Sequence, residues 1–236
     1  MGSVLALIVG ATAGGGWAAS ISLTLDGTQP NPGLNSSIQL TDPVYYNYAV
    51  GALSWNSGAV HTFCIDLTHD VYLNHTYTYE EYPLGSTQND GVTDDQAKYI
   101  QSLVNAHYND VFGVPTAPAN NNPNVNAAAM QLAIWEILND TSNWNVTTGH
   151  FACYGTAKDG DVAVTEANLW LTGLQKATTI TTVELISATQ NQNQMIAVTS
   201  DGGNHTDQTV PVPAALPVGA AMLAGMAVVR KIRRKA

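Results

Sequence analysis

The feature that most constrains this chain is a double switch in hydrophobic period. Between residues 20 and 82 the apolar positions recur in twos. Ile21, Leu23 and Leu25 alternate, residues 44–55 are rich in Tyr and Val, and residues 71–82 carry Tyr72, Tyr77, Tyr79 and Tyr82. The stretch 60–67 alternates cleanly, with His61, Phe63, Ile65 and Leu67 on one face and Thr62, Cys64 and Asp66 on the other. Residues 27–33 read as a Pro/Gly/Asn turn. From Asp94 the spacing becomes helical. Asp94 and Asp95 are N-cap residues ahead of Ala97, Ile100, Leu103, Val104 and His107. A polar loop over 112–126 leads to a second helix over 127–139. Thr165 caps a third that runs through Ala167, Trp170, Leu171 and Leu174. Residues 179–187 and 194–200 return to strand character, and no internal repeat is present. The expected fold is α+β: sandwich-like or barrel-like strands around a helical insertion, in one domain over 21–202.

The two ends read differently from this body. Residues 4–9 are a short apolar run and Ala18-Ala19-Ser20 is a small-residue cleavage site, so residues 1–20 are expected to be a secretory signal peptide. At the other end, residues 203–209 form a polar linker and Val210-Pro211-Val212-Pro213 opens a tail. Residues 214–229 carry no charge, and Arg230, Lys231, Arg233, Arg234 and Lys235 close the chain. That order predicts a single apolar membrane helix with its basic end held on the cytoplasmic side. With five of eight basic residues in the tail, residues 1–229 hold Lys98, Lys158 and Lys176 against all 18 acids, a net charge of −15. So acidic a body is a poor nucleic-acid binder.

Two residues in the body need a reason to be where they are. Gln131 shares a helix face with Ala127, Ile134, Trp135 and Leu138, which buries its carboxamide. An unpartnered amide there costs roughly 2–7 kcal/mol, so a hydrogen bond to backbone is the plain expectation. Cys64 lies mid-strand, where a cysteine is usually a small buried hydrophobe.

Taken together, Phe63-Cys64-Ile65-Asp66 and Gln131-Leu132-Ala133-Ile134-Trp135 resemble the two motifs of the thioester domain of bacterial surface adhesins. The resemblance spans residues 44–200. It implies an internal bond between the Cys64 sulfur and the Gln131 side-chain carbonyl, formed with loss of ammonia. An amine on a target then attacks that carbonyl, giving a covalent amide and a free thiol. Such a protein reacts once and is not a turnover enzyme, and it needs no cofactor and no metal. Phe63, Ile134 and Trp135 are expected to keep water off the bond, and Asp66 to orient or deprotonate. The tail resembles the PEP-CTERM sorting signal, with Val-Pro-Val-Pro in place of the usual Pro-Glu-Pro. That likeness implies export, transient anchoring in the inner membrane, processing by an exosortase-type enzyme and a final place at the cell surface or outside the cell.

Other readings stand beside this one. Cys64 and Cys153 could form a disulfide in an oxidising compartment, or remain plain thiols. The chain would then be a non-covalent structural protein of an extracellular matrix or biofilm. His61, His69 and His75 are too irregularly spaced for a metal site on one strand face, and His107, His150 and His205 read as surface residues. No Gly-x-Ser-x-Gly elbow is present, and Glu80-Glu81 and Asp94-Asp95 read as a strand edge and a helix cap, which argues against a hydrolase.

Overall fold

The computed structural model describes residues 20–40, 44–86, 92–113, 122–154, 158–187 and 191–197. The expected leader up to residue 19, the linker, the Pro motif and the apolar helix with its basic end all lie outside the described residues. Within them no helix is long and apolar enough to cross a membrane.

Among the described residues, seven strands and three helices follow one another as β1 (Ser20–Leu40), β2 (Val44–Trp55), β3 (Val60–Cys64), β4 (Thr76–Pro83), α1 (Asp94–Phe112), α2 (Pro123–Asn139), β5 (Phe151–Tyr154), α3 (Lys158–Leu171), β6 (Val183–Ser187) and β7 (Gln194–Ile196). All strand pairs are antiparallel and run in the order β2-β3-β7-β6-β4-β1-β5. A further β1–β2 pairing closes six of them into a ring, with β5 attached outside. The fold is therefore α+β, a barrel-like sheet with a helical insertion.

The ring closes because β1 changes partner along its length. Ser20–Thr24 pair with β4, and residues 25–40 pair with β2. The turn expected at 27–33 is instead an irregularity inside β1, where the register with β2 jumps between Gln29 and Leu34. Pro30 and Pro32 have no N–H to give a ladder, so the strand bypasses them and resumes rather than reversing.

Two cores result. The period-two residues of the strands fill the barrel: Ile21, Leu23, Leu25, Trp55, Val60, Tyr77, Tyr79, Leu185 and Ile196. Trp55 stands edge-on to Tyr77 and Tyr79, with centroids 6.1 and 6.0 Å away. The larger core lies between the sheet and the helices. At its centre is α2, buried at every residue from Val125 to Ile137. Ala127, Ala128, Ala129 and Ala133 let α1 and α3 approach it closely, and it also packs on β1, β2 and β5. Such a helix tolerates little. Truncating the fully buried Ile134 to Ala costs about 2–5 kcal/mol.

Several boundaries differ from the sequence expectation, each for a local reason. The cap of α1 is Thr93, not Asp94 or Asp95. Its hydroxyl accepts the Gln96 N–H at 3.2 Å while Gln96 Oε1 accepts the Thr93 N–H at 2.9 Å, and the two acids sit in the first turn. The expected loop 112–126 is shorter, since α1 continues through Phe112 and α2 begins at Pro123, capped by Asn122. Thr165 caps nothing. It lies inside α3, and its hydroxyl donates to the Asp161 carbonyl at 2.9 Å. Glu80 and Glu81 lie on β4, which is paired on both sides and is not an edge. The strand β5 was not expected. Asp140, the C-cap of α2, creates it by accepting the N–H groups of His150 and Phe151 at 3.2 and 3.1 Å. Gly149 precedes them at φ +114°, and a Cβ there would strike the Asp140 carboxylate.

Candidate functional site

The site begins where the β2–β3 ladder ends. Val60, His61 and Thr62 of β3 pair with Trp55, Ser54 and Leu53, and the β2 ladder stops there. On its other side β3 continues against β7, with Phe63 opposite Met195 and Cys64 opposite Gln194, and the Ile65 N–H donates to Asn193. In an antiparallel ladder the hydrogen-bonded positions alternate. The Cys64 N–H and C=O therefore point away from β7, toward a side with no strand left to meet them.

Gln131 takes the place of that strand. Its Oε1 accepts the Cys64 N–H at 2.8 Å, and its Nε2 donates to the Cys64 carbonyl at 2.8 Å. The pair is dry, with Gln131 1% and Cys64 4% exposed. These two bonds alone satisfy a buried glutamine. What distinguishes this carboxamide is that the peptide holding it carries a thiol.

The alternation read from the sequence holds for Thr62 and Phe63 but not beyond, since Cys64 lies in the same core as Phe63 and Ile65, and both faces of β3 are covered. Phe63, Ile65 and Leu67 are buried with the helical layer, whereas Thr62 faces the barrel interior. The Cys64 thiol donates to the Asp66 carbonyl at 2.9 Å and accepts the Asp66 N–H at 3.4 Å. Burial pushes this thiol up to about 12, against hydrogen bonds from the Asp66 backbone and the Trp135 side chain. The neighbouring charges of Asp66 and Asp70 push it the same way as burial. The resting cysteine is thus a neutral thiol at physiological pH, and any reaction must move its proton.

Phe63 and Ile134 are 0% exposed and Trp135 is 2% exposed, all in the same core as Cys64. Phe112 lies 5.9 Å from Phe63 and Phe151 lies 6.2 Å from Trp135, so aromatic rings enclose both segments. Asp66 occupies a different place from the one its strand parity implies. The chain leaves the strand after Cys64, and the Asp66 carboxylate turns to its own loop. Its Oδ1 accepts the Thr68 N–H at 2.8 Å and the Thr68 hydroxyl at 2.6 Å, and its Oδ2 lies 2.6 Å from His69 Nδ1. Burial opposes ionisation, but the Thr68 and His69 hydrogen bonds win and hold this carboxyl below its usual range.

A second set of polar groups, which no local pattern announces, secures the strand from inside the barrel. The Trp55 indole donates to Thr62 Oγ1 at 2.7 Å, and that hydroxyl donates to Gln194 Oε1 at 2.9 Å. Gln194 Nε2 donates to Gln192 Oε1 at 2.8 Å, and Gln192 Nε2 to the His69 carbonyl at 3.0 Å. The chain joins strands far apart in sequence, so only the assembled barrel reveals it.

Cys64 and Cys153 are both buried and unbridged. Cys153 lies on β5, opposite Ile38 of β1, while Cys64 lies on β3 beyond β2. The strands between them separate the two sulfurs, so the disulfide reading is not met. The other histidines do not join the site. His61 is half-buried with its ring 5.3 Å from Phe112, and His150 is exposed. His107 is not a plain surface residue, because it stacks on Trp170 at 4.1 Å and pairs with Asp110 at 3.0 Å. His205 lies outside the described residues. Among those residues no group of three or more His, Cys, Asp or Glu is placed to hold a metal ion.

The Cys64–Gln131 contact thus sets a nucleophile-bearing residue and an acyl-bearing side chain in register inside a dry core. No curated protein and no solved structure matches the chain. Residues 61–172, which run from β3 through α3 and contain both halves of this contact, match the family model of the thioester domain.

Proposed function

We propose that this chain is an exported surface protein that captures amines covalently through an internal thioester between Cys64 Sγ and the Gln131 side-chain carbonyl. The observation that carries the reading is the two-point hold of the Gln131 carboxamide by the Cys64 peptide, at 2.8 Å on both sides. An amide is a poor acyl donor, so proximity must supply the rate. Well-oriented intramolecular reactions reach effective molarities of about 10⁵–10⁸ M.

The Cys64 N–H already lies on the carbonyl oxygen that becomes negative when sulfur adds, which is the task of an oxyanion-hole donor. The Gln131 nitrogen is held by the Cys64 carbonyl. In condensation the thiol proton passes to that nitrogen, the C–N bond breaks, and ammonia leaves as the C–S bond completes. The product is an activated acyl group in a core from which Phe63, Ile134 and Trp135 exclude water. A primary amine then displaces the sulfur, leaving an amide at Gln131 and the thiol at Cys64. Reaction happens once per molecule, so this is a reactive tether and not a turnover enzyme.

The rest of the reading concerns where the tether works. The signal-like start and the PEP-CTERM-like tail support export and handling by an exosortase-type enzyme, followed by release to the cell surface or surroundings. The target is an amine-bearing molecule of a surface or matrix. The Lys98 and Lys176 amines lie against Asp94 and Asp95 on α1. Accurate mass with methylamine tests the reading: the mature protein should lack one ammonia and gain one methylamine with release of one thiol. Protein that neither lacks the ammonia nor takes up methylamine would refute it.

A further inference from the structure

We propose that His69, oriented by Asp66, is the general base that carries the proton from the incoming amine to the Cys64 sulfur. This rests on the thioester reading above and names the group that reading leaves open. One residue links the two chemistries. The Asp66 backbone holds the Cys64 sulfur, with its carbonyl at 2.9 Å and its N–H at 3.4 Å, while the Asp66 carboxylate lies 2.6 Å from His69 Nδ1. The Asp66 side chain is 14% exposed and that of His69 45%, so the imidazole is the solvent-facing end of a cluster whose other end is the buried thiol.

The tautomer follows from the partners. An ionised carboxylate only accepts, so Nδ1 carries the hydrogen and Nε2 keeps its lone pair. The loop is fixed from the opposite side as well, because Gln192, only 7% exposed, donates to the His69 carbonyl at 3.0 Å. The Asn193 N–H reaches Asp66 Oδ2 at 3.5 Å. The charged and titratable neighbours are few. Asp66 and Asp70 belong to the loop itself. Gln131 and Trp135 from α2 and Gln192 and Asn193 before β7 are neutral. The Tyr79 phenol of β4, fully buried, is electrostatically coupled to Cys64.

The chemistry calls for such a base. Attack by R–NH₂ on the thioester carbon gives a tetrahedral adduct whose nitrogen carries one proton too many for an amide. His69 Nε2 takes that proton. The C–S bond breaks with its electron pair going to sulfur, and the imidazolium returns the proton to Sγ. Amide and thiol result, with nothing gained or lost overall. The return step matters because a sulfur so deeply buried is a poor thiolate and leaves readily only as a thiol.

The test uses the full chain, with methoxyamine as the nucleophile because it is unprotonated throughout the range. Thiol release per thioester-bearing molecule is followed between about pH 6 and 8.5, where the weakly basic methoxyamine is the free base. The wild-type rate should rise through a single inflection there. His69→Gln should slow the step by about 10²-fold, flatten the profile and recover several-fold with added imidazole. Asp66→Asn should lower the rate. A flat wild-type profile, or a His69→Gln variant that reacts as fast as the wild type, overturns this inference alone. Wild-type protein without the ammonia deficit overturns the thioester reading and this inference with it.

Discussion

Two buried glutamines, one on α1 and one on α2, solve the same physical problem with different consequences. Gln101 is 0% exposed and Gln131 1%. Gln101 Oε1 accepts the N–H groups of Thr181 and Thr182 at 2.7 and 2.8 Å, and its Nε2 donates to Asn105 at 2.9 Å. Gln131 instead accepts the N–H of Cys64 and donates to its carbonyl. Each carboxamide finishes a stretch of backbone that no strand completes. Burial and hydrogen bonding therefore do not separate a strap from a reactive group. The neighbour does, since Gln101 meets the backbone of threonines and Gln131 the backbone of a cysteine.

The largest expected difference between the two is chemical. Gln131→Ala and Cys64→Ala should each abolish the ammonia deficit completely, whereas Gln101→Ala and Cys153→Ala should retain it. Intact-mass spectra of the four variants check this, and a deficit that survives Gln131→Ala breaks the comparison.

Next comes the effect of the bond on stability. A crosslink between residues 67 apart restricts the unfolded chain, by about 4 kcal/mol in the chain-entropy picture. Methylamine opens it, so treated protein should melt on the order of 10 °C lower than untreated protein. Calorimetry of the two forms reads this directly, and equal melting temperatures would mean that no crosslink was present to lose.

A third buried polar group on α2 sharpens the contrast through pH. Glu136 is 1% exposed, and burial raises its carboxyl to about 7, helped by the charge of Asp140 and opposed by the Asn145 N–H. Its folded value lies above the unfolded one, so the folded state favours the protonated form. That contribution is full below about pH 4.5 and is lost as pH rises through 7. Glu136→Gln should remove up to about 3 kcal/mol of this dependence. Denaturant titrations at pH 5 and 8 measure it, and parallel losses in variant and wild type would assign the dependence elsewhere.

The smallest effect belongs to the strap. Gln101→Ala leaves the Thr181 and Thr182 N–H groups without their acceptor and should cost about 2–3 kcal/mol. The rate of amine capture should not change. A slower capture would show that the strap and the reactive pair act as one unit.

The sequence made the fold class legible because the alternation of Ile21, Leu23 and Leu25 and the helical spacing after Ala97 report burial directly. Cys64 and Gln131 were legible through motifs, and the buried face of Gln131 through its period. What stayed hidden depends on contacts between distant segments. Strand parity extended past Cys64 placed Asp66 on the cysteine's face and left His69 unassigned. Instead Thr68 and His69 draw the Asp66 carboxylate into a turn, and the strand ends. The Trp55–Thr62–Gln194–Gln192 chain needs three strands already assembled. The strand β5 needs Asp140 to hold its first N–H groups.

Accurate mass of the unreduced wild-type protein tests the central claim most directly. The account predicts a chain lighter than its sequence by one ammonia, with Cys64 closed to alkylation until an amine is added. A chain of full mass, with Cys64 as a free thiol and Gln131 as an intact amide, would contradict it.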